Sequence, residues 1–235
     1  MTVGIAILDM DGTILSRRSI DSFCDGFGFT EKLVEVDRQS SNLPAYMVSE
    51  AIARFFSGLP KHSLEQMSDT IPLNDGINDL VSFLKSNEFH IAIATDSYQF
   101  LAERLAKRIG ADSCYGNLVE LQDGVLTGRL LTDHHCLKLE GCREYSACKL
   151  WFLRQMKAKI GGVTVAVGDG DSDLCMIKGA DLGIAYRPKS KSITKVAHLV
   201  AQDFSEAIDF LKIELSSRER RSDSSPGASF GHHRS

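Results

Sequence analysis

The sequence has no apolar run long enough to cross a bilayer; its longest runs are strand-sized. It has no excess of positive charge, since 27 Lys and Arg stand against 31 Asp and Glu, for a formal net charge of −4. That balance argues against a general nucleic-acid binder. Only 5 Pro and 19 Gly occur in 235 residues, and no internal repeat is present, so the chain is neither collagen-like nor wholly disordered. The first strand pattern begins almost at Met1, with no basic leader and apolar core before it, so no secretory signal is expected. Six cysteines (24, 114, 136, 142, 148 and 175) could form three disulfides. Without a leader, reduced thiols and a cytoplasmic protein are the expectation. With 43% hydrophobic and 25% charged residues, the chain can form one large domain, or one domain with a small insert.

Val3–Leu8 (VGIAIL) is apolar on both faces, as in a central parallel strand covered by helices on both sides. Similar runs recur at Ile91–Ala94, Val163–Val167 and Leu182–Ala185. Helical spacing separates or follows them: Ile77, Leu80, Val81 and Leu84; Leu101, Leu105 and Ile109; Leu150, Leu153, Met156 and Ile160; Phe204, Ile208, Leu211 and Leu215. Strands alternating with amphipathic helices predict an α/β fold with a Rossmann-like parallel sheet. The alternation breaks between Ser16 and Pro72, where helices are predicted at Thr30–Gln39, Pro44–Ser57 and Lys61–Thr70. Residues 16–72 are therefore expected to be a small helical cap inserted after the first strand, with 1–15 and 73–215 as the core. A hairpin is expected at 114–130, where Tyr115–Leu121 and Val125–Leu131 flank Gln122-Asp123-Gly124. Ser216–Ser235 holds seven Ser and four Arg and only one bulky apolar residue, Phe230, and is expected to be disordered.

Open α/β sheets place ligands at the carboxyl ends of their strands. The first strand runs into Asp9-Met10-Asp11-Gly12-Thr13, the second into Thr95-Asp96-Ser97, and the third into Gly168-Asp169-Gly170-Asp171-Ser172-Asp173. One sheet edge would then hold up to six carboxylates, a cluster that is costly unless a cation neutralises it. Oxygen-only donors select a hard ion, and Mg²⁺ suits a site with few carboxylates, several waters and a phosphate. Of Asp9 and Asp11, one can attack phosphorus and the other can protonate the leaving alkoxide. Gly12 permits a tight turn that brings backbone amides to phosphoryl oxygens. Thr95 offers a hydroxyl, and Lys149, opening a helix before the third strand, offers positive charge.

Asp9-Met10-Asp11-Gly12-Thr13, Thr95, Lys149 and Gly168–Leu174 resemble, in order and spacing, the four motifs of the haloacid-dehalogenase-like phosphatases. The resemblance runs from about residue 3 to 212. The helical insert and the continuation Met176–Ala185 look most like the phosphoserine-phosphatase branch. The resemblance implies that Asp9 is nucleophile and Mg²⁺ ligand. Asp11 is implied as general acid/base, with its carbonyl on the metal. Thr95 would bind the phosphoryl group, and Lys149 would hold that group and Asp9. Asp169 would complete the metal site, while Asp173 would support Lys149 or a metal-bound water. The implied activity is Mg²⁺-dependent hydrolysis of a small phosphomonoester through an aspartyl-phosphate, with no nucleic-acid or membrane partner.

Departures from the family pattern bear on substrate. Arg18 stands where the family has a cap glutamate, Asp96-Ser97 where it has Gly-Gly, and Ser172 where it has asparagine. Arg54 matches a cap arginine that contacts substrate. Gly12, Arg18, Arg54, Asp96, Ser97 and Ser172 are thus the expected substrate-binding residues. Two arginines facing the site favour an acidic group or a second phosphate over an ammonium. Phosphoserine hydrolysis, phosphoryl transfer to a second substrate and a non-catalytic binding role are the alternatives. His134, His135, Cys136, Cys142 and Cys148 suggest a soft-metal site, but five residues separate successive cysteines where zinc sites usually have two to four, and a loop of reduced thiols is the other reading.

Overall fold

The computed structural model of the chain describes residues 4–40, 43–131, 136–137 and 139–223. Its core is a six-stranded sheet in the order β3-β2-β1-β6-β7-β8, with every neighbouring pair parallel. The strands are β1 (Gly4–Asp9), β2 (Phe89–Tyr98), β3 (Ser113–Asn117), β6 (Val163–Gly168), β7 (Leu182–Tyr186) and β8 (Leu199–Ala201). β1 is buried along its whole length, as its unbroken apolar run predicts, because helices cover both faces of the sheet.

One face packs Ala6 and Leu8 of β1 against Leu80 and Leu84 of α5 (Ile77–Ser86), Leu101 and Leu105 of α6 (Gln99–Ile109), and Phe204 and Leu211 of α10 (Phe204–Asp223). The other face packs Ile5 and Ile7 against Leu150 and Leu153 of α7 (Lys149–Ile160), Ile177 of α8 (Leu174–Gly179) and Ile193 of α9 (Lys191–Thr194). The alternation of side chains along each strand divides the core in this way. Among the described residues, no helix is long and apolar enough to cross a membrane.

Between β1 and α5 lie four helices: α1 (Ser19–Phe27), α2 (Thr30–Gln39), α3 (Ala45–Ala53) and α4 (Lys61–Asp69). The chain leaves the core at Leu15 and returns at Leu73, and these two residues form an antiparallel bridge. Phe23, Phe27, Phe29, Phe55 and Phe56 form a cluster of edge-on and tilted rings 6.0–6.5 Å apart, and Phe56 meets Tyr98 of β2 edge-on at 6.2 Å. Aromatic burial of this kind docks the helices on the end of β2. The expected helix at Pro44–Ser57 is α3 followed by a 3₁₀ turn over Arg54–Phe56.

Two boundaries differ from the sequence expectation. The hairpin arms are β4 (Val119–Gln122) and β5 (Val125–Leu130), joined by Asp123 and Gly124, both at positive φ. Tyr115–Asn117, expected in the first arm, instead belongs to β3 at the sheet edge. The periodicity runs on through Leu118 and hides that break. β5 bonds to the segment between α3 and α4, with Gly58 N donating to Leu126 O at 2.8 Å. The second difference is at the tail. α10 runs to Asp223, so Ser216–Asp223 is helical and not disordered. Extending a nucleated helix needs no buried face, and the polar composition of this segment concealed the extension. The remainder of the expected tail, 224–235, lies outside the described residues.

Candidate active site

Register puts the acidic residues together. Asp9 ends β1 opposite Ala94 of β2, so Thr95 is the next residue on the adjacent strand. Leu8 lies opposite Val167 of β6, so Asp169 emerges just beyond the same edge. The chain proceeds from β1 to β2 and β3 on one side, and to β6, β7 and β8 on the other. Such a switch point opens a crevice at the carboxyl ends of the central strands.

Lys149, the first residue of α7, is buried in that crevice. Its Nζ donates to Asp9 Oδ1 at 2.5 Å and to Asp173 Oδ1 at 2.6 Å. The Cys148 sulfur accepts from Trp151 N at 3.4 Å and so caps the helix that presents the lysine. Burial acts against the lysine's charge, but Asp173 and Asp9 raise its pKa overall. Asp173 Oδ2 accepts from the backbone N–H groups of Asp169 and Gly170, each at 3.1 Å, which fixes the loop after β6. Burial raises the Asp9 pKa, as does the charge of Asp173, while Lys149 pulls it down.

Asp11 sits in a different setting. Its Oδ1 accepts from Ser19 N at 2.7 Å and its Oδ2 from Ser19 Oγ at 3.1 Å. Ser19 Oγ is also 3.0 Å from Ser97 Oγ. Burial pushes the Asp11 pKa up to about 6, against the opposing bonds from Ser19. At neutral pH such a group can give a proton and take one back. Thr95 Oγ1 accepts from Ser97 N at 3.0 Å, and its hydroxyl borders the crevice.

Asp9, Asp169 and Asp173 each place a carboxylate oxygen within 4.8 Å of the others. Asp169 Oδ2 is buried, and its one partner among the described residues is Lys189 Nζ, an ion pair at 2.6 Å. Gly12, at φ +91°, permits the close approach: a Cβ there would overlap Asp169 Oδ2 and the lysine. Three buried carboxylates face one buried ammonium and the exposed Lys189, which leaves an excess of negative charge, and carboxylate oxygens at this spacing are a donor set that suits a hard cation.

The crevice opens into a cavity of about 330 Å³ beneath α3. Asp9, Asp11, Thr95, Asp96, Ser97, Lys149, Asp169, Ser172 and Arg18 all line it, as the sequence predicts. Arg54 does not: it is exposed in the 3₁₀ turn after α3, with its backbone against Gly128 of β5. The α-helix ends at Ala53, four residues before the expected Ser57, and Arg54 falls in the 3₁₀ turn that follows. A different arginine lines the cavity, Arg143, from the loop before α7. Sequence reading also missed Tyr145 and Lys189, whose loops carry no periodicity. Asn74 was missed as well. Its Nδ2 lies within 3.2 Å of the carbonyls of Gly12, Thr13 and Leu15, clamping the Asp9–Thr13 turn.

The six cysteines are free thiols. Cys136 Sγ and Cys142 Sγ are 3.4 Å apart. His134 and His135 lie outside the described residues.

Comparison with known proteins follows the same lines. A family model described as haloacid dehalogenase-like hydrolase matches residues 6–178. A phosphoserine phosphatase of Archaeoglobus fulgidus is 28% identical over 190 residues, covering 79% of this chain and 53% of that protein. One of Streptococcus thermophilus is 28% identical over 191 residues, covering 79% of this chain and 85% of that protein. The chain thus spans about half the length of the first curated relatives it matches. Among solved structures, a phospho-aspartyl intermediate analogue of phosphoserine phosphatase superposes with a TM-score of 0.75 at 22% identity, covering 89% of this chain and 99% of that one. A HAD family hydrolase of Salmonella enterica superposes with a TM-score of 0.73 at 24% identity, covering 85% and 68%. At these identities the structures speak for the fold.

Proposed function

This chain belongs to the haloacid dehalogenase-like hydrolase family, and from that premise we propose that it hydrolyses a small phosphomonoester through a phosphoryl group carried on Asp9. The observation that carries this reading is the contrast between two carboxylates two residues apart. Asp9 is ion-paired to Lys149, whereas the half-buried Asp11 has no ion-pair partner among the described residues, is bonded to Ser19 and is pushed up to about 6 by desolvation. An ammonium held against one carboxylate and absent from the other divides the pair into nucleophile and proton donor.

Asp9 attacks phosphorus while Asp11 delivers its proton to the departing alkoxide, and the ester oxygen leaves as an alcohol. Lys149, held by Asp173, keeps Asp9 oriented and offsets phosphoryl charge. Thr95 donates its hydroxyl to a phosphoryl oxygen. Asp11, now ionised, takes a proton from water as that water attacks the aspartyl-phosphate, restoring Asp9 and releasing phosphate. Asp9, the Asp11 carbonyl and Asp169 would hold Mg²⁺, which supplies charge neutralisation on the phosphoryl oxygens when bound. The helices over the crevice exclude bulk water during transfer.

The test is phosphate release from a panel of phosphomonoesters with Mg²⁺, with phosphoserine first because the relatives bear its name, followed by sugar phosphates and diacidic phosphates. Asp9→Asn should abolish turnover while circular dichroism stays unchanged. Full activity in that variant, with deamidation excluded by mass spectrometry, would overturn the assignment. Assaying phosphorylated acceptors beside free phosphate separates hydrolysis from transfer to a second substrate.

A further inference from the structure

Asp96 is a carboxylate on the cavity wall that the mechanism above does not use. Its surroundings consist of donors from separate parts of the chain. Oδ2 accepts from Ser49 Oγ of α3 at 3.2 Å. Oδ1 accepts from Ser146 Oγ at 3.2 Å and from Asn117 Nδ2 of β3 at 3.3 Å. The Asp96 carbonyl accepts from the same Asn117 amide at 2.6 Å.

A second set of bonds joins two of these parts. Ala45 N, in the first turn of α3, donates to Arg143 O at 2.7 Å, and Tyr46 N donates to Glu144 O at 3.0 Å. Helix N-termini leave such N–H groups without partners in their own helix, and here the loop before α7 satisfies them. Ser49 lies four residues after Ala45, on the same side of α3. One side of α3 is therefore fastened twice: at its start to the 143–144 carbonyls, and one turn later to Asp96. Ser146 stands three residues before Lys149, so the loop tied to Asp96 is also the one that delivers the lysine.

We propose that Asp96 is a positioning residue that seats α3 and the Lys149 loop over the phosphoryl site and so forms the roof against which the substrate's leaving group packs. The proposal rests on the phosphatase reading above. A phosphoryl dianion would be repelled by this carboxylate, so Asp96 acts through the groups it holds. What it supplies is hydrogen-bond geometry, not charge. Asparagine can supply much the same geometry: its oxygen accepts from Ser146 and Asn117, and its amide can donate to Ser49 Oγ.

The experiment compares the full chain with Asp96→Ala, Asp96→Asn and Ser49→Ala. The readouts are backbone hydrogen exchange and steady-state hydrolysis, with Mg²⁺, of the best ester found in the panel. In Asp96→Ala, exchange across Ala45–Ala53 should quicken about tenfold, with β1 and α6 unchanged. KM should rise about tenfold with kcat within about threefold of the parent. Asp96→Asn should stay within about threefold of the parent in both readouts, and Ser49→Ala should fall between. If Asp96→Asn raised KM as far as Asp96→Ala, the charge itself would meet the substrate and the proposal would fail. It would fail equally if α3 exchange were unmoved in both Asp96→Ala and Ser49→Ala. Ser49→Ala covers the case in which Asp96→Ala does not fold. Should the parent hydrolyse no ester, the phosphatase reading would fall, and the exchange arm would still decide whether Asp96 holds α3.

Discussion

Lys149 Nζ stands 2.5 Å from Asp9 Oδ1, across a sequence separation of 140 residues. The same ammonium is 2.6 Å from Asp173 Oδ1, and all three side chains are at most 5% exposed. One cation thus bridges two buried carboxylates and offsets part of their charge. Breaking a buried pair by removing one partner leaves uncompensated charge. Lys149→Met is therefore expected to lose about 3–5 kcal/mol of unfolding free energy as well as activity. Denaturant unfolding with and without Mg²⁺ checks this, and the ion should restore part of the loss. An unchanged midpoint without Mg²⁺ would mean that the ammonium does not neutralise the cluster.

Asp11 offers a sharper kinetic test, because its two duties fall in different steps. Asp11→Asn keeps the Ser19 contact in shape but cannot transfer a proton. With an alkyl phosphate, turnover should fall about 10²- to 10⁴-fold. With an aryl phosphate whose leaving group needs no proton, the first step should survive and the second should stall. The expected record is a burst of aryl alcohol close to one equivalent per site, followed by slow release. Equal losses on both ester types, without a burst, would remove Asp11 from the first step as its acid.

Much of this site was legible because strands and their ends carry local signals. Four apolar runs gave four of the six sheet strands, and the acidic residues following β1 and β6 met at one edge as expected. β3 and β8 escaped notice because an edge strand needs no apolar run: Ser113–Asn117 is only half-buried over its first residues, and Leu199–Ala201 is three residues long. α1 was missed because its stripe of Ile20, Phe23 and Cys24 is short and is entered without a side-chain cap. Loop residues were the least legible. Asn74, Arg143, Tyr145 and Lys189 owe their places to tertiary approach, and no spacing rule encodes it. Arg54 shows the reverse error: it matched a motif, but a helix ending one turn sooner carries its side chain out to solvent.

Lys189 and a metal ion would compete for the same carboxylate. Its ammonium lies 2.6 Å from Asp169 Oδ2, yet its side chain is 61% exposed, so the attraction is screened by water. Lys189→Met removes a positive charge from beside the place where a divalent cation is expected. The Mg²⁺ concentration for half-maximal activity should fall about two- to fivefold, with kcat little altered. A titration of activity against Mg²⁺ at constant ionic strength reads this directly. A rise in that concentration would instead make Lys189 a support for the ion's ligand.

Substrate choice turns on which arginine meets the cavity. Arg143 and Arg18 line it, while Arg54 is exposed in the 3₁₀ turn and does not. Arg143 Nη2 also donates to Ser40 O at 2.7 Å, so its guanidinium is braced against the segment after α2. A guanidinium held in this way recognises carboxylate or phosphate through paired N–H groups. Arg143→Ala leaves intact the backbone carbonyl that receives Ala45 N, so α3 keeps that tie. KM for esters bearing a second anionic group should then rise about ten- to hundredfold, with neutral esters within about threefold. Arg54→Ala should leave the order of substrates unchanged. Running both variants on the same panel settles the point: a reordered panel in Arg54→Ala with an unaltered one in Arg143→Ala would place the anion's partner on the cap turn after all.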